Sequence, residues 1–156
     1  MEYQEVVMPK RKKIALVAHD HKKPEMVDWA KRQREALSKH DLYATGTTGS
    51  LIEKETKLTV EKLRSGPIGG DLEIGAMISA HELDCLVFFW DPLAAQPHDP
   101  DVRALLRIAV VWNIPVVSNM ASADFLMSSP FMDGEYQRLV PDYEERKRKD
   151  WPLRGG

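Results

Sequence analysis

The chain has 156 residues, enough for one domain with a substantial core. Hydrophobic residues make up 43% and charged residues 29%, which excludes wholesale disorder, and no apolar window is long enough for a membrane-spanning helix. The formal charge of −2 excludes a global pull toward nucleic acid or a membrane surface, so any anion selectivity has to be local. The single cysteine, Cys85, excludes an internal disulfide and sits in an apolar run, as a buried structural thiol does. With no signal-peptide core at the N-terminus, a cytoplasmic single-domain protein is expected.

Met1 to Lys12 ends in the basic cluster Lys10-Arg11-Lys12-Lys13, which reads as a solvated lead-in, since no aromatic interleaving marks a nucleic-acid patch. Ile14 to Ala18 is apolar on both faces and suits a central parallel strand. The polar cluster His19-Asp20-His21-Lys22-Lys23 follows, and Pro24 fits a first helical turn. Met26, Trp29, Ala30, Ala36 and Leu37 then form an apolar stripe at helical spacing. Leu42-Tyr43-Ala44 is a second strand, running into Thr45-Gly46-Thr47-Thr48-Gly49-Ser50, with a helix expected from about Ser50 to Glu55. Leu58 to Leu63 leads, through a possible short strand, to the glycine-rich Ser65-Gly66-Pro67-Ile68-Gly69-Gly70-Asp71.

Beyond Asp71, the residues Leu72, Gly75, Ala76 and Ser79 share one face of a helix ending near His81. His40 and His81 read as surface histidines at helix ends. Asp84 to Phe89 carries the strongest strand signal and is closed by Trp90-Asp91-Pro92. Asp99 and Pro100 open an amphipathic helix through Val102, Leu105, Leu106, Ala109 and Trp112. Pro115 to Asn119 is a further strand, Ser122 caps a helix through Met127, and Arg138 to Val140 is a last short strand. Strands alternating with helices predict an α/β fold with a mostly parallel sheet covered on both faces, a three-layer αβα arrangement. Ligands then sit beyond the carboxyl ends of the strands. The polar clusters at 19–23, 45–50, 65–71, 91–101 and 118–122 all follow a strand or open a helix, so they converge on that edge.

Two kinds of chemistry meet there. Lys23, the 45–48 stretch, Ser65 and Gly66 supply hydroxyls, backbone N–H groups and one cation, the makings of an anion cradle. Thr-Gly-Thr-Thr-Gly is equally compatible with a tight turn and cap. Neither G-x-x-x-x-G-K-[ST] nor G-x-G-x-x-G is present, so a small phosphorylated metabolite fits better than a nucleotide. The second group is acid–base: His19, Asp20, Asp71, Asp91, His98 and Asp101. Singly, each carboxylate reads as a cap and each histidine as a hydrogen-bonded loop residue. No HExxH or paired-cysteine spacing marks a metal site.

As a set, these residues closely resemble the methylglyoxal synthase family. The resemblance is carried by His19-Asp20-His21, by Ala44 to Gly49, by Leu63 to Gly70 with Asp71, and by Phe88 to Leu93. Pro97 to Arg107 and Trp112 to Val116 complete it, so that it spans about residues 12–143 and leaves a charged tail at 144–156. It implies conversion of dihydroxyacetone phosphate to methylglyoxal and inorganic phosphate, with no metal or organic cofactor. It further implies Asp71 as the base, His98 polarising the carbonyl oxygen, and Asp101, Asp91 and Asp20 tuning or relaying protons. His19, Lys23, Thr45, Gly46, Thr47, Thr48, Ser65, Gly66 and His98 would hold the substrate. A cytoplasmic homohexamer inhibited by phosphate is implied as well. The rival readings are a ligand-sensing module of the same fold, which needs donors but no base, and a phosphosugar isomerase, which shares the first step.

Overall fold

The structure, a computed structural model, describes residues 2–64, 69–94 and 99–144, with 99–101 described by their backbone. Ile14, Leu16 and Ala18 of β2 (Lys13–Ala18) face one hydrophobic layer and Ala15 and Val17 the other, because successive strand side chains point to opposite sides. The same alternation runs through β5 (Cys85–Phe89), which is buried along its whole length. With β3 (Asp41–Thr45), β4 (Val60–Leu63) and β6 (Val116–Val117) they form a parallel five-stranded sheet of order β4-β3-β2-β5-β6. The exposed Glu61 and Lys62 mark β4 as an edge strand, where charge discourages further pairing.

Helices α1 (Lys23–Arg32), α3 (Gly46–Thr56) and α6 (Met120–Ser128) cover one face through Met26, Trp29, Ala30, Ile52, Ala123 and Met127. The short α2 (Arg34–Leu37) adds Leu37 to that layer. Helices α4 (Gly70–Ser79) and α5 (Asp99–Val111) cover the other face through Ile74, Ile78, Val102, Leu105 and Ala109. Each fully buried Met, Ile, Leu or Val side chain among these contributes about 1.5–3 kcal/mol. From β2 the chain steps outward to β3 and β4 and then crosses back to β5, so the strand order reverses between β2 and β5. Parallel strands followed by helices aim the positive N-termini of α1, α3, α4 and α5 at the carboxyl edge of the sheet.

Several local expectations are corrected. The Thr-Gly-Thr-Thr-Gly stretch is no turn: α3 begins at Gly46 and takes in Thr47, Thr48 and Gly49. A Cβ at Gly49 would lie 2.9 Å from Lys62 Cγ and 3.3 Å from Ala44 Cβ, so close helix–sheet packing outweighs glycine's poor helix propensity there. Asn119, not Ser122, caps α6, its side chain accepting the Ser122 N–H at 2.9 Å. Leu72, Ala76 and Ser79 lie on the exposed face of α4, whose buried face carries Ile74 and Ile78. The lead-in contains a strand, β1 (Tyr3–Met8), paired antiparallel with β7 (Tyr136–Pro141) in a separate ribbon. Lys12 is not solvated: it is 1% exposed, and its Nζ donates to the carbonyls of Pro9 at 2.9 Å and Gly134 at 2.7 Å. It thereby ties both strands of the ribbon to the sheet at one end. Arg138, equally buried, donates to the Trp112 carbonyl.

His40 is also buried, and its Nδ1 accepts the backbone N–H of Lys12 at 3.0 Å. Burial first, then the charge of Lys12, lowers its proton affinity below the ordinary value for histidine. The folded chain therefore binds fewer protons than the unfolded chain below about pH 6.5, and stability rises with pH across that window. The urea midpoint should fall as pH drops from about 7 to about 5, and His40→Asn, whose amide oxygen can still accept from Lys12, should flatten that fall. An unchanged pH profile in the variant would assign the effect to another group.

Candidate active site

At the point where strand order reverses, β2 hands over to His19 and β5 to Trp90 and Asp91. The His19 N–H donates to the Phe89 carbonyl at 3.2 Å, carrying the β2–β5 ladder one residue beyond the Ala18–Phe89 pair. The Asp91 N–H then donates to His19 Nδ1 at 3.0 Å. A ring nitrogen that accepts carries no proton, so the buried imidazole is the neutral tautomer with its hydrogen on Nε2. The Phe88 ring meets it edge to face at 5.3 Å and fixes its plane. Asp91 is buried too, and its Oδ1 accepts the Leu93 N–H at 3.0 Å, closing the turn that leaves β5.

Asp20 behaves differently. Its side chain is 88% exposed and accepts from Lys23 Nζ at 2.6 Å, while the Lys23 side chain is 19% exposed. That hydrogen bond, with the charge of Lys23, lowers the proton affinity of Asp20 and keeps it ionised. Asp20 therefore holds the lysine. The sequence reading overlooked His21, whose Nδ1 lies 3.5 Å from Asp91 Oδ2. Its place in the cluster after β2 was the available signal.

The cradle is built where β3 turns into α3. Thr45 is buried and extended, and its hydroxyl does not cap the helix. The first N–H groups of α3, from Gly46, Thr47 and Thr48, have no intrahelical acceptors and carry partial positive charge. Thr48 is 1% exposed, yet its Oγ1 has no hydrogen-bond partner among the described residues. A buried hydroxyl left so costs about 1–3 kcal/mol.

Asp71 reaches the same place from the neighbouring strand. Gly69 takes φ +112°, a left-handed conformation, and Gly70 opens α4. A Cβ on Gly70 would stand 2.0 Å from the Arg64 carbonyl oxygen and 2.9 Å from Thr45 Cγ2. Only a residue without a side chain lets α4 start this close to the ends of β3 and β4. Asp71 follows directly, 5% exposed, in the first turn. The structure thus packs the start of α4, at Gly70 and Asp71, against Thr45 ahead of α3, and separately joins His19 to Asp91 and Lys23 to Asp20. Ser65, Gly66 and His98 lie outside the described residues, and the backbone of Asp101 is in the first turns of α5. Among the described residues no cluster of His, Cys, Asp or Glu is arranged to hold a metal ion.

Two substitutions test this geometry. Thr48→Val keeps the shape and removes the unpartnered hydroxyl, so the free protein should be as stable or slightly more so, while affinity for a phosphate-bearing ligand falls roughly tenfold. A loss of stability with unchanged affinity would place that hydroxyl outside the cradle. Gly70→Ala should displace Asp71, lowering kcat/KM by roughly 100-fold and stability by about 1–3 kcal/mol. Wild-type turnover in that variant would refute the close packing.

Comparison with known proteins places the chain in a family. Residues 25–118 match the family model described as the MGS-like domain. A methylglyoxal synthase from Coxiella burnetii is 58% identical over 138 residues, which cover 88% of this chain and 96% of that protein. One from Pseudoalteromonas translucida is 61% identical over 138 residues, covering 88% and 90%. The crystal structure of methylglyoxal synthase from Elizabethkingia anophelis superposes with a TM-score of 0.87 at 51% identity, over 92% of this chain and 94% of that one. With fold and sequence in agreement, the chain belongs to the methylglyoxal synthase family, lyases acting on phosphates.

Proposed function

We propose that the chain converts dihydroxyacetone phosphate to methylglyoxal and inorganic phosphate. The observation that carries this reading is the buried Asp71, packed through Gly70 against Thr45 beside an α3 N-terminus whose Thr48 hydroxyl is unpartnered. The phosphate would be held by the N–H groups and hydroxyls of Thr45, Gly46, Thr47 and Thr48, with Ser65, Gly66 and His19. Lys23 adds one charge to this otherwise neutral set, and Asp20 steers it. Donors aimed at the phosphate oxygens would stabilise the charge that builds there as the group departs.

Asp71 takes a proton from the carbon bearing the hydroxyl, beside the ketone, and the electron pair forms an enediolate. His98, donating to the carbonyl oxygen, stabilises that charge. The C–O bond to phosphate then breaks, its electrons leaving on phosphate, which takes up the proton that the hydroxyl releases as its carbon becomes the aldehyde. The enolate that remains takes a proton at its CH2 carbon to become methylglyoxal. An isomerase must suppress this loss, whereas here the cradle would hold the C–O bond out of the enediolate plane, aligned for expulsion. Asp91 fixes the His19 tautomer through its backbone, and Asp101 is read as tuning proton transfer at the same edge. A cytoplasmic homohexamer with phosphate inhibition belongs to the same proposal through kinship with the family.

Mixing the protein with dihydroxyacetone phosphate and following dicarbonyl and free phosphate together tests this. Both should appear in equal amounts. Glyceraldehyde phosphate would indicate an isomerase, and no product would indicate a sensor. Asp71→Asn should lower turnover by roughly 10²–10⁴-fold while inorganic phosphate still binds. Substantial turnover in that variant would remove Asp71 as the base.

A further inference from the structure

The amino edge of the sheet, opposite the candidate active site, carries a groove of about 450 Å³ lined by Lys10, Arg11, Lys39, His40, Met132 and Asp133. His40 leads into β3 and lies beside the start of β2, so this groove and the carboxyl edge are at opposite ends of the strands. Its size is within the range of small-molecule sites.

The donors are unusually arranged. His40 is 5% exposed, and because its Nδ1 accepts the Lys12 N–H, the ring carries its proton on Nε2. That Nε2–H has no hydrogen-bond partner among the described residues, and the ring lines the groove. Arg11 is already engaged, its Nε donating to Asp41 Oδ1 at 2.8 Å and its Nη2 to the His40 carbonyl at 3.4 Å. Lys10 and Lys39 are exposed, and among the described residues neither ammonium has an ion-pair partner. Asp133 is the one opposing carboxylate on the lining. The positive field is felt at the ring, since Lys12, Arg11 and Lys39 all lower its proton affinity and Asp133 alone raises it.

We propose that this groove binds a small oxyanion, a phosphate or carboxylate group, between the Nε2–H of His40 and the ammonium groups of Lys10 and Lys39. The buried Met132 beside them gives the rest of such a ligand an apolar wall. Occupancy has a route into the fold. His40 holds the Lys12 backbone, and Lys12 Nζ holds the turns at Pro9 and Gly134 that anchor the β1–β7 ribbon.

Titrating the isotopically labelled full chain with inorganic phosphate, at an ionic strength held constant with chloride, tests the site by NMR. The His40 side-chain and Lys39 amide signals should shift saturably, with a midpoint different from that of Thr47 and Thr48 in the cradle. In Lys10→Ala/Lys39→Ala, where both replaced side chains are exposed, the His40 response should weaken by at least about tenfold while the cradle response persists. Phosphate should also raise the apparent pKa of His40 in the wild type and not in the variant. A linear drift shared with chloride, a midpoint matching the cradle, or a response unchanged in the variant each overturns the proposal.

Discussion

The close approach of α4 to the ends of β3 and β4 is the constraint on which the site depends. Where Gly70 passes the Arg64 carbonyl there is no space for a single carbon, since a Cβ would stand 2.0 Å from that oxygen. The left-handed Gly69 turns the chain into that gap, and Asp71 enters the edge buried. A side chain at residue 70 would push the helix outward and carry the carboxylate away from the α3 N-terminus with it. A carboxylate beside an anion site looks contradictory, since the two negative charges repel. In the proposed reading the two N-termini resolve this by division of labour: α3 would present donors to the phosphate end of a ligand, and α4 the proposed base to its other end.

The two edges of the sheet are electrostatically distinct. The carboxyl edge collects helix N-termini, neutral hydroxyls and carboxylates, with Lys23 already matched by Asp20. The amino edge instead buries Lys12, Asp84 and Arg138 around the thiol of Cys85, with His40 buried beside Lys12. Burial pushes that thiol up to about 12, so it stays protonated and inert at physiological pH. Burial also raises the proton affinity of Asp84, against the opposing pull of the Lys13 N–H it accepts and of the Arg138 and Lys12 charges. These polar groups fasten the β1–β7 ribbon to the sheet through Lys12 and Arg138, where apolar contact alone would leave many registers equivalent.

Much of the fold is legible in the sequence because its signals are local. Ile14 to Ala18 and Asp84 to Phe89 are apolar on both faces and bounded by polar turns, which identifies buried parallel strands and places the clusters that follow them at one edge. What escapes is non-local. Tyr3–Met8 has little apolar alternation and is a strand because Tyr136–Pro141, at the far end of the chain, pairs with it. Lys12 and His40 read as surface residues because their partners, Gly134 for one and each other's neighbourhood for both, are set by tertiary contact. The helical start at Gly46 ran against glycine propensity, and only the 2.9 Å gap to Lys62 explains why Gly49 belongs in a helix. The candidate site was readable as a set of residues and not as a geometry. Asp20 and Asp91 look alike in sequence, yet one is an exposed partner of Lys23 and the other a buried turn residue that orients His19.

The central claim is that phosphate and base are held by different helices. A crystal structure of the Asp71→Asn protein with dihydroxyacetone phosphate bound tests it most directly. The phosphate oxygens should accept from the Gly46–Thr48 N–H groups and the Thr48 hydroxyl, with the residue 71 amide facing the hydroxyl-bearing carbon. A phosphate seated instead on the N-terminus of α4, against residue 71 itself, would contradict the account.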